Sequence, residues 1–313
     1  MLSPIILFVY NRPWHTKQTL DALSKNILAE NSTLYIFCDG PKELADELEI
    51  KMIHETRNIA NREKRFKEVI VKEKKNNKGL ADSVIDGVTE IVNKYGKIIV
   101  LEDDIVTSAG FLKYMNDALN VYENIEKVMH ISGYMFPVRE KMSETFFIQP
   151  TSCWGWGTWS RAWLKFEKNP KKQIELIAYK GWNKFTINGS NPAFKNHLEM
   201  NLNGNLNTWA IFWYASVYLN DGVSLHPYPS LVQNIGFDGS GVHCDREVDL
   251  KNPYINRELA KSINIEKKNK FINKKELLSI ELFYRRINNL PKEVNLRDRF
   301  YLFRKKMIKI IFK

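Results

Sequence analysis

The residues with the clearest chemical potential are Glu102, Asp103 and Asp104, three consecutive acids behind the apolar run Ile98-Ile99-Val100-Leu101. Carboxylates crowded in this way resist ionisation unless a cation or hydrogen-bond donors lie near. A hard divalent ion such as Mn²⁺ or Mg²⁺ suits their oxygens and keeps positions open for phosphate. It then serves as Lewis acid and template while a diphosphate leaving group gains charge, the chemistry of transfer from a nucleotide-sugar. The plainer reading is a solvated loop or a pair of helix N-caps.

The elements that must position these acids read as alternating strands and helices. Strands are expected at Ile5–Val9, Leu34–Cys38, Glu68–Val71 and Lys97–Leu101. Helices are expected from Asn11-Arg12-Pro13 to about Leu28, in the charged stretch after Pro41, and from Lys78-Gly79 to about Tyr95. Short apolar runs separated by helices indicate buried parallel strands with right-handed crossovers. In such sheets chemistry gathers at the carboxyl ends of strands, where Asn11, Asp39 and the acidic run all fall. The expected fold is therefore α/β, with a mostly parallel, Rossmann-like central sheet flanked by helices.

Beyond about residue 130 short strands are expected at His130–Phe136, Phe146–Ile148 and Val223–Leu225, with a Trp-rich loop over 153–163 and a helix near 208–220. Residues 1–250 read as one domain, a donor half over 1–105 and an acceptor half over 106–250, followed by a basic, helical, peripheral extension over 251–313.

Several motifs, in order, are similar to those of the GT-A glycosyltransferases related to N-acetylglucosaminyltransferase I and of bacterial surface-polysaccharide sugar transferases. They are Asn11-Arg12-Pro13, Asp39-Gly40, Lys78-Gly79-Leu80-Ala81, Leu101-Glu102-Asp103-Asp104, Trp154-Gly155-Trp156-Gly157-Thr158-Trp159, and the stretch from Asn234 to His243. The resemblance covers about residues 3–245. It implies a GT-A fold and an inverting transfer from a nucleotide diphosphate-sugar, UDP-sugar favoured, to a glycan or lipid-linked glycan.

By the same resemblance Asp104 would bind the metal, while Glu102 and Asp103 would contact the donor. Asn11 and Arg12 would line the nucleotide pocket, Arg12 as a planar fork for diphosphate; Pro13 also fits the first position of a helix. Asp39 would accept from the base or ribose, or simply form an Asp-Gly turn. Lys78 would sit by the phosphates, or in a solvated loop. His243, after Gly239-Ser240-Gly241, would reach the diphosphate or metal, whereas His226 reads as packing. Trp154, Trp156 and Trp159 would offer flat surfaces to an acceptor sugar, at least one of them serving the core instead.

One part of the family pattern is missing. An inverting transfer needs a base for the acceptor hydroxyl, and the relatives place an acid beside a Trp in the helix after the acceptor loop. Here Asn207 and Ala210 stand around Trp209, and Asn accepts no proton at neutral pH. Either Asn207 is an inactivating substitution, or Asp238 supplies the base, or the alignment shifts locally.

Charge separates the tail from the body. The chain carries a net charge of +11, yet residues 251–313 hold 18 Lys and Arg against 6 Asp and Glu. The rest is near neutral, which argues against a nucleic-acid-binding core. Leu296, Phe300, Phe303, Met307 and Ile310 form an apolar stripe flanked by basic residues, suited to an anionic membrane surface or to packing on the domain. Cys38, Cys153 and Cys244 are odd in number and form no CxxC, which fits a reducing cytosol. No signal peptide or spanning segment is expected. The alternative functions are a nucleotidyltransferase, and a catalytically inactive glycan- or nucleotide-binding relative.

Overall fold

The structure, a computed structural model, describes residues 2–240, 252–255, 258–269 and 271–291. Ten strands are present among them: β1 (Ile5–Val9), β2 (Thr33–Cys38), β3 (Glu68–Glu73), β4 (Lys97–Glu102), β5 (Ile105–Thr107), β6 (Val128–Ser132), β7 (Thr145–Ile148), β8 (Trp156–Trp159), β9 (Val223–Pro227) and β10 (Val232–Asn234). The helices are α1 (Pro13–Leu23), α2 (Glu47–Arg62), α3 (Leu80–Tyr95), α4 (Phe111–Val121), α5 (Ser160–Trp163), α6 (Pro170–Lys180), α7 (Trp182–Phe185), α8 (Ala193–Leu202), α9 (Ala210–Leu219) and α10 (Lys274–Ile287).

Eight strands form one mixed sheet in the order β3-β2-β1-β4-β8-β6-β9-β7. The first four are parallel, as the apolar runs imply, and β1 is buried along its whole length. Its side chains alternate between two cores, Ile5, Leu7 and Val9 on one face and Ile6 and Phe8 on the other. Both faces are thus covered by helices, the condition for a continuously apolar strand. Pro13 starts α1, and Asp46 caps α2 by accepting from the Glu49 N–H (2.7 Å). Gly96, at φ 80, ends α3 with its N–H on the Val92 carbonyl (2.7 Å), turning the chain directly into β4.

The second half departs from the parallel pattern. The stretch expected as a Trp-rich loop contains β8, which runs antiparallel between β4 and β6. β7 is also antiparallel, beside β9. A separate ribbon pairs β5 with β10, and it decides the site geometry below.

The described residues beyond 251 pack against the rest of the fold. Leu278, Ile280, Phe283 and Tyr284 of α10 are buried, and Phe283 and Tyr284 meet the Phe136 ring. The Ala260 N–H donates to the Ser230 carbonyl (2.8 Å). Gly110 is closed over by the Lys261 backbone. The described residues of 258–287 therefore pack onto the second half of the sheet; the basic stripe over 296–313 lies outside the described residues. No helix among those described is long and apolar enough to cross a membrane.

Candidate active site

β1 and β4 are adjacent and parallel, and the strand order changes direction between them. Their carboxyl ends deliver Arg12 and the acidic run to one place, the switch point where open α/β sheets bind ligands. The Arg12 guanidinium grips both aspartates. Its Nε donates to Asp103 Oδ2 (3.2 Å), its Nη2 to Asp103 Oδ1, and the same Nη2 to Asp104 Oδ2 (2.9 Å). Thr19 Oγ1 fixes the Asp103 carbonyl (2.7 Å) from α1.

These charges stand in poor solvent. Burial, with repulsion from Asp104 and Asp103, pushes the Glu102 carboxyl up to about 8. Burial also lifts Asp103, to about 6, against the pull of Arg12. Burial disfavours the charged form of Arg12, yet attraction from both aspartates prevails and raises its pKa. Among the described residues, the one cationic side chain against the two aspartates is the Arg12 guanidinium.

The β5/β10 ribbon folds the following loop down onto this cluster. The Ile235 N–H donates to the Asp104 carbonyl (2.9 Å). Gly236 lies so close that a Cβ there would collide with Asp104 Oδ2 and stand 3.0 Å from Arg12 Nη1. The loop then forms a partition, with Phe237 lining one cavity and Asp238 the other.

The first cavity, about 320 Å³, is walled by aromatic side chains. Trp154, Trp209, Trp213, Tyr134, Tyr254 and Phe237 line it together with Cys153 and His197. Trp154 meets Tyr134, Phe237 and Tyr254 edge-on, with centroids 4.5, 5.6 and 6.2 Å away. The Cys153 thiol is raised by burial and by the charges of Glu102 and Asp104, which ties this cavity electrostatically to the acidic run.

The second cavity, about 500 Å³, is lined by several charged and polar side chains. Asn11, Arg12, Trp14, His15, Glu49 and Asp238 line it. Asn11 Nδ2 points to Glu49 Oε1 (3.5 Å), which also accepts from the Tyr10 hydroxyl (2.9 Å). His15 Nε2 faces Asp238 Oδ2 at 3.0 Å. Burial and the nearby Arg12 lower the His15 pKa despite Asp238. Burial raises Asp238, but hydrogen bonds from Ser240 (N–H 3.0 Å, hydroxyl 2.6 Å) and the charge of His15 bring it below the usual carboxylate range.

Arg12, Glu102, Asp103, Asp104 and Asn11 are therefore brought together, with Trp154 and Asp238 on opposite sides. Other expected residues are placed elsewhere. The Asp39 carboxylate is buried and accepts from the backbone N–H groups of Gly40 (2.9 Å), Lys78 (3.1 and 3.2 Å) and Gly79 (3.0 Å). It fastens the turn into α3, which matches the alternative reading of an Asp-Gly turn. The Lys78 ammonium is exposed and pairs with Asp86 of α3 (2.5 Å).

Trp156 and Trp159 are 0% and 2% exposed in β8, so the acceptor platform expected of them is corrected to core. Trp156 stacks beneath Trp209 (5.2 Å) and His130 (5.4 Å), and Trp159 Nε1 donates to the Leu119 carbonyl (3.0 Å). Asn207 is exposed before α9 and lines neither of these cavities, whereas Ala210 lines the aromatic one. His243 lies outside the described residues. The reading of sequence did not find Tyr134, Tyr254, Phe237 or His197, which share no spacing pattern.

Asp104 and Asp103 offer hard oxygen donors and already hold a cationic group, so the donor chemistry fits a divalent metal. Among the described residues no three His, Cys, Asp or Glu side chains converge as a ready-made cage.

No protein-family model matches the chain, and neither does any curated protein. Among solved structures it is similar to S. aureus TarS, at 13% identity over 47% of this chain, with a TM-score of 0.30; it spans only 24% of that chain. It is also similar to the mannosyltransferase PcManGT from Pyrobaculum calidifontis, in complex with GDP-Man and Mn²⁺, at 8% identity, covering 70% of this chain and 68% of that one, with a TM-score of 0.41. A third is mouse xyloside xylosyltransferase 1, at 7% identity over 70% and 81% of the two chains, with a TM-score of 0.36. Likenesses this weak leave function to the chemistry of the site.

Proposed function

We propose that the chain is a GT-A glycosyltransferase that moves a hexosyl or N-acetylhexosaminyl group, with inversion, from a nucleotide diphosphate-sugar to a glycan or lipid-linked glycan acceptor. UDP is the favoured nucleotide. One observation carries the reading: the Arg12–Asp103–Asp104 cluster stands at the sheet's switch point, between a polar cavity and an aromatic one. A transferase needs such a division, with phosphate held on one side of the reacting carbon and an acceptor on the other.

In this reading Arg12 orients the diphosphate as a bidentate fork. Asp104, with Asp103, would hold Mn²⁺ or Mg²⁺, which supplies Lewis-acid stabilisation of the leaving diphosphate. Trp154 and the rings around it present faces to the acceptor, matching the apolar C–H face of a sugar. As the anomeric carbon–phosphate oxygen bond breaks, the acceptor oxygen bonds the same carbon from the opposite face and its proton passes to a base. Asp238 lines the other cavity, and no carboxylate lines the aromatic one among the described residues. His197 of α8, an exposed residue, is the side chain with a basic nitrogen that lines it among the described residues, and it takes that role here.

The missing carboxylate also favours a second reading, a glycan- or nucleotide-binding protein without turnover. Incubation with radiolabelled UDP-sugars and a panel of oligosaccharide and lipid-linked acceptors separates the two. Label transfer supports the transferase; calorimetric UDP binding with no transfer or donor hydrolysis supports the binder. Binding of neither UDP nor any other nucleoside diphosphate sinks both nucleotide readings. Placement at the cytoplasmic face of a membrane through 296–313 belongs to the same proposal. Equal liposome flotation by the full chain and by a chain ending near 290 would remove it.

A further inference from the structure

We infer that Arg12 and a divalent cation are alternative occupants of the Asp103 and Asp104 carboxylates, so that cation loading displaces Arg12 toward the diphosphate; this rests on reading the cluster as a nucleotide-sugar site. Three observations point to exchange instead of shared occupancy. The first is saturation. Arg12 engages both oxygens of Asp103, and its Nη2 stands 2.9 Å from Asp104 Oδ2. A cation bonded to the same oxygens would meet a positive guanidinium at near contact, in a place where side-chain exposure is only 17%, 7% and 13% for Arg12, Asp103 and Asp104. Poor solvent screening makes such like-charge contact costly.

The second is lack of room. The backbone of Gly236 closes the side of the cluster, with Arg12 Nη1 3.0 Å from the position a Cβ would take and Asp104 Oδ2 nearer still. On that side the guanidinium has no space in which to sit beside a hydrated ion. The third is a way out. Arg12 also lines the cavity of about 500 Å³ that holds Asn11, Trp14 and His15. Arg12 stands immediately before Pro13 of α1, outside the strands. In that cavity its fork meets phosphate oxygens as it now meets carboxylate oxygens.

Exchange has a signature that a simple phosphate-binding arginine lacks. Removing Arg12 should strengthen binding of the cation alone, because a competing charge is gone, while weakening binding of nucleotide alone. In the wild type the two ligands should assist one another, since each removes the guanidinium from the other's path. By linkage that assistance is reciprocal.

The test titrates full-length wild type, Arg12→Gln and Arg12→Lys with MnCl₂ alone, following free Mn²⁺ by electron paramagnetic resonance. In parallel UDP is titrated by calorimetry, in EDTA and in Mn²⁺. Arg12→Gln is expected to bind Mn²⁺ about tenfold more tightly than wild type and to bind UDP in EDTA about tenfold more weakly. Arg12→Lys keeps the charge without the fork and should fall between on both scales; if Arg12→Gln does not fold, Arg12→Lys decides the sign. Unchanged or weaker Mn²⁺ binding by the variants, or Mn²⁺ binding by none of the proteins, overturns the exchange. If UDP binds none of them, the transferase reading fails while the Mn²⁺ comparison still decides whether Arg12 competes.

Discussion

The indole N–H of Trp213 donates to Nδ1 of His130 across 3.0 Å. Indole nitrogen is a donor only, so Nδ1 must carry a lone pair and the His130 proton must reside on Nε2. Nε2 in turn stands 3.1 Å from the Ser152 carbonyl. One fully buried neutral imidazole thereby joins α9, β6 and the wall of the aromatic cavity, which Trp213 and Ser152 both line. The Trp156 ring stacks on it from below.

This arrangement should make the protein acid-sensitive. Burial, with the neighbouring His226, holds the His130 pKa well below its ordinary value. The unfolded chain binds that proton below about pH 6.5 and the folded chain does not. The contribution is therefore fully present above pH 6.5 and is lost as pH falls toward the depressed folded value. The slope is about 1.4 kcal/mol per pH unit for this group. His226, pushed down to about 4 by burial, steepens the same window. Denaturant melts from pH 7.5 to 4.5 should show His130→Gln less stable at neutrality but flatter with pH. Parallel profiles for the variant and the wild type would refute the neutral-imidazole account.

Asp39 should behave as a structural anion. Its carboxylate accepts backbone N–H groups from Gly40, Lys78 and Gly79, and hydrogen bonds to a charged acceptor contribute about 1.5–3 kcal/mol. Asp39→Ala is expected to lower unfolding free energy by about 3 kcal/mol in the absence of any ligand, and Asp39→Asn by less. Urea denaturation of the apoprotein checks this; an unchanged midpoint would return Asp39 to a purely ligand-binding role.

What was legible in the chain follows from how local each signal is. The strands β1 to β4 are continuous apolar runs, so burial on both faces shows in the sequence itself. The placement of the acidic run and of Arg12 was legible because both lie at the carboxyl ends of such strands. The stretch from Trp156 to Trp159 misled, because glycine between tryptophans resembles a sugar-binding loop. In fact Gly157 lets β8 lie against the Ile98 carbonyl, where a Cβ would come within 3.0 Å. The aromatic cavity was illegible because its rings come from segments as distant as Tyr134 and Tyr284. Nor does any local pattern show that Asp238 turns away from Phe237.

Trp154 and Trp156, two residues apart, should therefore respond differently to truncation. Trp156 is fully buried among Trp209, Trp163 and Trp213, so Trp156→Ala should cost about 3–5 kcal/mol of stability. Trp154 is half-buried and faces the cavity; Trp154→Ala should spare most of that stability and raise the acceptor KM by about tenfold. Thermal melts and acceptor-dependent kinetics distinguish them, and equal destabilisation would place both in the core.

Gly236→Ala tests the partition. Its new methyl must push Asp104 Oδ2 or the loop aside, since no Cβ fits there. Misplacement of a reacting group by about 1 Å costs on the order of 10²-fold in rate. Sugar transfer should fall by that order while melting temperature changes little. Wild-type turnover in this variant would show that the loop does not press on the cluster during reaction.

The identity of the base follows from which side of that partition each candidate occupies. Asp238 faces His15 in the polar cavity, Asn207 is exposed outside both, and His197 lines the aromatic one. A base must reach the acceptor hydroxyl directly or through one water. Cys153, Tyr134, Tyr214 and Tyr284, which also line that cavity, are all pushed further from ionisation by burial. His197→Gln should therefore lower kcat by about 10²–10⁴-fold and leave UDP affinity unchanged. Asn207→Asp should leave turnover unaltered, because position 207 lines neither cavity. Asp238→Asn should weaken donor binding more than it lowers kcat. A large gain in turnover from Asn207→Asp would move the base to the start of α9 and require that segment to close over the acceptor.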